Sequence, residues 1–151
     1  MQVNLKPVVM LAPLTTPTNA NTATARLDTL GYDYAIIDVV QGISDATTVP
    51  STLKISEGAT TTAASATDIT ALVGGGVGGF TMVSPNTEAA NVVRFGVDLK
   101  ARERYLFVTF SPASVHNTCV LAQLTKGEKP FIATVANTNA GVANVVAIVE
   151  A

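Results

Sequence analysis

The sequence predicts an all-β fold: an antiparallel, jelly-roll-like β-sandwich in a single domain with extended termini. Three observations predict it. Thr and Val are abundant and the strong helix formers Glu, Lys, Gln and Leu are sparse, so the β-branched residues that suit a pleated sheet dominate. From Val93 to Lys100 apolar and polar or small residues alternate strictly, as in a strand with one face buried. Finally, eight to ten short apolar runs follow one another with turn signals between them and no alternation with helical segments.

The length of 151 residues suits one domain with a substantial core, burying roughly 70% of the unfolded chain's surface. Only 13% of the residues are charged, against about 25% in an ordinary soluble domain. Thr, Ser, Asn and Ala must therefore form much of the exterior. A net charge of −2 with no run of Lys or Arg gives no basic face for nucleic acid and no basic anchor for a membrane surface. Neither is expected as a partner. The single cysteine, Cys119, excludes an intramolecular disulfide and is expected to be a small buried hydrophobe.

Residues 1–25 are expected to form an N-terminal arm or edge strand, ahead of a sandwich domain over 26–151. Pro7, Pro13 and Pro17 each remove an amide donor, which confines the segment to an edge or an extended path. The apolar part of "KPVVMLAPLTT" is short and broken by Pro13, so it reads as mature chain and not as a secretion signal. From Tyr32 to Val40 a strand is predicted, with Ala35, Ile37 and Val39 on its inner face and Tyr32, Tyr34, Ile36 and Asp38 outside. "STLKISEG" repeats the alternation with Leu53 and Ile55 inward. The Ala/Thr/Ser stretch at 59–66 is read as a loop, because three consecutive Thr oppose a helix. "GGGVGG" at 74–79 lacks the Lys-Ser/Thr pair and the helix that a phosphate loop needs, and is read as a flexible exposed loop. After the strand over 93–100, "YLFVTF" is apolar almost throughout, as for a strand covered on both faces. Between these two runs "LKARER" has the length and polarity of a hairpin turn. The last 22 residues carry one charge, Glu150, and must be paired in the sheet or covered by a partner.

Reactive groups are few. His116 and Cys119 are three apart and on a strand would point to opposite faces; His116 is expected in a loop. Ser114 lacks a nucleophile elbow, zinc has too few Cys and His, and the eleven carboxylates show no calcium-loop spacing. No catalysis, metal or cofactor is expected. Sugar binding is disfavoured because Trp is absent and Tyr occurs three times.

Three segments, "LDTLGYDYAIIDVVQG" at 27–42, "STLKISEG" at 51–58 and "VVRFGVDLKARERYLFVTFSPAS" at 92–114, resemble a family of capsid decoration, or cement, proteins of tailed phages and prophages. The matching residues are Asp28 to Ala35, Val97 to Leu99 and Arg104 to Leu106. The resemblance covers roughly residues 25 to 128. It implies a virion structural protein on the capsid exterior, assembled in the host cytoplasm, often a homotrimer, with the major capsid protein as partner. Another virion component (a head-fibre base or tail protein) and a carbohydrate-binding or adhesive sandwich are the alternatives. Such a protein gains affinity from surface exposed when free. The apolar, nearly uncharged ends are therefore the expected interface, anchored by Val8, Val9 and Met10 at one end and Val145, Val146 and Ile148 at the other. At least one of them is expected to cross onto another subunit. Arg102 and Arg104 are expected to pair with Asp98 or Glu103, or with a neighbouring subunit.

Overall fold

The computed structural model describes residues 5–16, 22–43, 49–84, 90–127 and 144–151. They form two packed sheets. The strands are β1 (Leu5–Thr16), β2 (Ala23–Asp28), β3 (Tyr34–Gln41), β4 (Thr52–Gly58), β5 (Thr67–Val73), β6 (Asn91–Asp98), β7 (Tyr105–Ser111), β8 (His116–Thr125) and β9 (Asn144–Glu150). One sheet has the order β1-β8-β3-β6-β9 and the other β2-β7-β4-β5. All pairings are antiparallel except β6 with β9, which is parallel. The expected all-β sandwich is what forms.

The wiring is a set of nested pairs. β4 pairs with β5, β3 with β6, β2 with β7 and β1 with β8, and successive pairs alternate between sheets. Among the described strands, only β4 and β5 are joined as a hairpin. Every other connection from β1 to β8 crosses from one sheet to the other. This corrects the reading of "LKARER": β6 and β7 lie in different sheets, and the segment is an arch between them. A short polar link serves either geometry, so its length and composition could not distinguish them.

The core lies where the alternation placed it. Ala35, Ile37 and Val39 of β3 and Val93, Phe95 and Val97 of β6 face Leu53 and Ile55 of β4 and Leu106, Val108 and Phe110 of β7. β7 is covered on both faces as expected, since Phe107 is buried yet lies outside the core cluster. Its cover is the 59–66 segment. A side chain added at Gly58 would touch both the Phe107 ring and Ala66, and Arg26 Nη1 of β2 reaches across to donate to the Thr61 carbonyl at 3.3 Å. The loop contains one turn of 3₁₀ helix at Ala63–Ser65.

β1 and β9 are the two edge strands of the five-stranded sheet. β1 pairs with β8 with register shifts between Val9 and Leu11 and between Leu11 and Leu14. The first shift lets Met10 and Leu11 both pack against the core, as Val8 does, while Val9 stays 63% exposed. A bulge of this kind turns two consecutive residues to one face.

Candidate interaction surfaces

The strand ends divide the molecule into two unlike poles. At one pole lie the 29–33 connection, the 99–104 arch, the 59–66 loop and the end of β8. All the charge of the described connections lies at this pole, and its charges are used to join the sheets. Asp28 and Gly58 both stand opposite Tyr105 in register, one on each side of β7. The chain entering β7 therefore passes between the ends of β2 and β4. Arg104 donates from Nε and Nη2 to the two Asp28 oxygens at 3.0 and 2.7 Å. Glu57 accepts from Arg102 Nη1 at 3.3 Å and from the Glu103 amide at 2.9 Å. The Thr29 amide and hydroxyl both donate to the Arg104 carbonyl at 3.0 and 2.6 Å. Arg102 and Arg104 thus pair with Glu57 and Asp28, and not with the local acids Asp98 and Glu103 that the sequence offered.

Asp33 ties the same pole to the other sheet. Its carbonyl accepts from the Leu99 amide at 2.8 Å, its amide donates to the Thr125 carbonyl at 2.9 Å, and its Oδ2 accepts from the Gly127 amide at 2.7 Å. Lys100 Nζ donates to the Tyr34 hydroxyl at 2.9 Å.

The Arg104 guanidinium, hydrogen-bonded to Asp28 on both oxygens, lowers that carboxyl from its ordinary 3.8 to about 2. A folded-state value below the unfolded one adds stability above the unfolded pKa, and that stability is lost as pH falls from about 4 to about 2. Both groups are nearly half exposed, so the effect is small. Arg104→Ala is expected to fold normally and melt slightly below wild type at pH 7, with the gap closing by about pH 2. A gap independent of pH would show that the guanidinium acts through packing on Tyr105, which it also covers at 4.9 Å.

The opposite pole holds the described connections 42–43, 49–51, 74–84 and 112–115. None of these residues is charged, and Ile43, Val49, Val77 and Val115 are all exposed there. Asp45 and Glu88 lie outside the described residues. The glycine run does not splay out as a flexible loop. The Gly75 amide donates to the Phe80 carbonyl at 2.9 Å, Gly79 to Gly76 at 3.1 Å, and Phe80 to Val73 at 3.2 Å. Gly75 and Gly78 have φ of 70° and 78°, which only glycine adopts readily. The loop closes on itself, presents Val77 fully exposed, and sends Phe80 inward to meet Phe95 edge-on at 5.3 Å.

Beneath this pole, Thr118, Gln41 and Asn91 form one cross-strand row, all buried. Asn91 Nδ2 donates to the Ser84 carbonyl at 2.8 Å. Both amide atoms of Gln41 are buried with no hydrogen-bond partner among the described residues. An unpaired buried amide costs about 1–3 kcal/mol. Gln41→Leu is therefore expected to hold or raise the denaturation midpoint; a loss above about 1 kcal/mol would reveal a partner for the amide.

Of the residues expected at an interface, Val8 and Met10 pack against the core and Val9 alone of the three is prominently exposed. Val145, Val146 and Ile148 lie on β9; β9 runs beside β6, with Val92 opposite Val145 and Arg94 opposite Ile148. Cys119 is half-buried, with burial raising its thiol pKa, and His116 opens β8 where a loop was expected. The described residues hold no cluster of three or more metal-ligating side chains, and none of their helices is long and apolar enough to cross a membrane. Comparison with protein-family models, curated proteins and solved structures finds no match.

Proposed function

We propose that this protein is a capsid decoration protein, a non-catalytic subunit that binds the outside of an assembled phage head and reinforces it. The observation that carries the reading is where the family-like residues meet. Asp28 to Ala35, Val97 to Leu99 and Arg104 to Leu106 are far apart in sequence. They converge on one joint, through the Asp28–Arg104 pair, the Leu99 amide on Asp33, and the pairing of Tyr34 with Asp98. The resemblance therefore follows a single structural unit, the arch between the sheets, and not scattered strand residues.

Two further observations support it. The nested orders β1-β8-β3-β6 and β2-β7-β4-β5 support a jelly-roll reading of the sandwich, a wiring that recurs in viral capsid and lectin domains. This is an analogy of fold alone. The lectin alternative is weakened by the tyrosines. Lys6 lies over Tyr32, Lys100 over Tyr34, and both Arg26 and Arg104 over Tyr105, so each ring already has a cation on its face where a sugar would stack.

The test is to mix the purified protein with emptied, expanded heads of the phage or prophage that carries its gene. Retention on the heads and a rise in their disruption temperature are expected. Failure to co-sediment would remove the decoration reading. Localisation instead to the tail or to a fibre base would move the protein to another virion position.

A further inference from the structure

We infer that the inner end of the five-stranded sheet is a binding site for an internal water molecule, held on the side-chain amide of Gln41 between Thr118 and Asn91.

The inner face of β8, β3 and β6 is built in cross-strand rows. Leu124, Ala35 and Val97 form one, Ala122, Ile37 and Phe95 the next, and Val120, Val39 and Val93 the third. All of these are buried and apolar. The fourth row keeps the same inward register and is Thr118, Gln41 and Asn91, polar side chains that are 1%, 0% and 3% exposed. Buried polar groups need hydrogen-bond partners. Asn91 has one in the Ser84 carbonyl at 2.8 Å, and Thr118 is partnered as well. Gln41 lies between them with Nε2 and Oε1 both buried and no partner among the described residues.

The amide itself selects the ligand. It offers N–H donors and a carbonyl acceptor side by side, so a ligand that satisfies it must both accept and donate. A cation would use the oxygen only and an anion the N–H groups only. No charged residue belongs to the row to balance either. Water does both, and one molecule can close a ring with the N–H and C=O of the same amide. Cross-strand neighbours have Cβ atoms about 4.5–5.5 Å apart, which brings the Thr118 hydroxyl or the Asn91 amide within reach of that molecule. An internal water makes about three hydrogen bonds to groups otherwise unsatisfied. Two from Gln41 and one from a neighbour supply them. The water thus ties the three strands together where their apolar rows end.

The experiment uses the full chain in solution, with water itself as the probe. In the wild type, the Gln41 side-chain NH₂ protons are expected to show a nuclear Overhauser effect to water, with the sign of a molecule that tumbles with the protein. Magnetic relaxation dispersion of the water signal counts the molecules that stay long inside. Gln41→Leu, folded by circular dichroism, is expected to hold one fewer than wild type. The substitution removes the amide and its water together, so the fold is kept. A wild-type count in Gln41→Leu would overturn the inference. So would NH₂ contacts to protein groups alone, because the amide would then have a protein partner. If Gln41→Leu fails to fold, the wild-type Overhauser measurement decides by itself: contact with long-lived water upholds the site, and its absence removes it.

Discussion

Phe95→Ala is expected to cost about 3–5 kcal/mol, the range for emptying a fully buried aromatic site. Phe95 has no exposed surface. It lies on β6 opposite Ile37, which is itself opposite Ala122 of β8, so its ring continues an inner row that runs across three strands. Phe80 reaches it from the glycine loop, with the ring planes 78° apart. Removing the Phe95 ring leaves a cavity that the surrounding strands, each fixed by two neighbours, cannot collapse to fill. A domain of this size has a total stability of about 5–15 kcal/mol, so the variant should populate unfolded chain well below the wild-type midpoint. Phe95→Leu should recover most of the loss, costing about 1–1.5 kcal/mol because volume is nearly kept. Urea denaturation of the three proteins checks this. A cost below about 1 kcal/mol for Phe95→Ala would mean that the ring is not packed between the two sheets.

The inner rows were legible because burial on one face writes itself into the chain with a period of two. Ala35, Ile37 and Val39, and Val93, Phe95 and Val97, could be assigned to the core from spacing alone. That same period says nothing about which strand lies alongside. β6 and β7 are consecutive and strongly apolar, and joining them as a hairpin was the local solution. Their true neighbours come from distant segments. The same limit hid the ion pairs: Arg104 meets Asp28 across 76 positions and Arg102 meets Glu57 across 45, while Asp98 and Glu103 were nearer only in sequence. At the N-terminus, "VVML" has no alternation to read. The bulge after Val9 decides which residues turn inward, and bulges leave no composition signature. The gathering of charge among the described connections of one pole was equally hidden, because the connections of one pole alternate along the chain with those of the other.

Gly79→Ala is expected to be the most damaging small substitution in the glycine loop, costing about 2–3 kcal/mol. The reason is contact with backbone, which cannot step aside. A Cβ at Gly79 would run into the Val73 carbonyl oxygen, and it would sit 2.9 Å from the Val73 carbonyl carbon and 3.3 Å from the Gly76 oxygen. Those two oxygens accept the bonds that close the loop, from the Phe80 and Gly79 amides. Relieving the clash therefore means opening the loop, and opening it draws Phe80 away from Phe95. Gly76→Ala is the internal control. Its Cβ would meet a Val73 methyl at 3.1 Å, the end of a side chain at the close of β5, and the local shift needed is a few tenths of an ångström. Its expected cost is below about 1 kcal/mol. For a chain of this length each kilocalorie moves the melting temperature by about 2–4 °C, so Gly79→Ala should melt several degrees below Gly76→Ala. Amide exchange should show why, with the Gly75, Gly79 and Phe80 amides losing protection in Gly79→Ala while the Ile37 and Val39 amides of β3 keep theirs. If both variants melt together, or if protection is lost evenly through the sheets, the loop is not closed by these bonds and Val77 is not held by them.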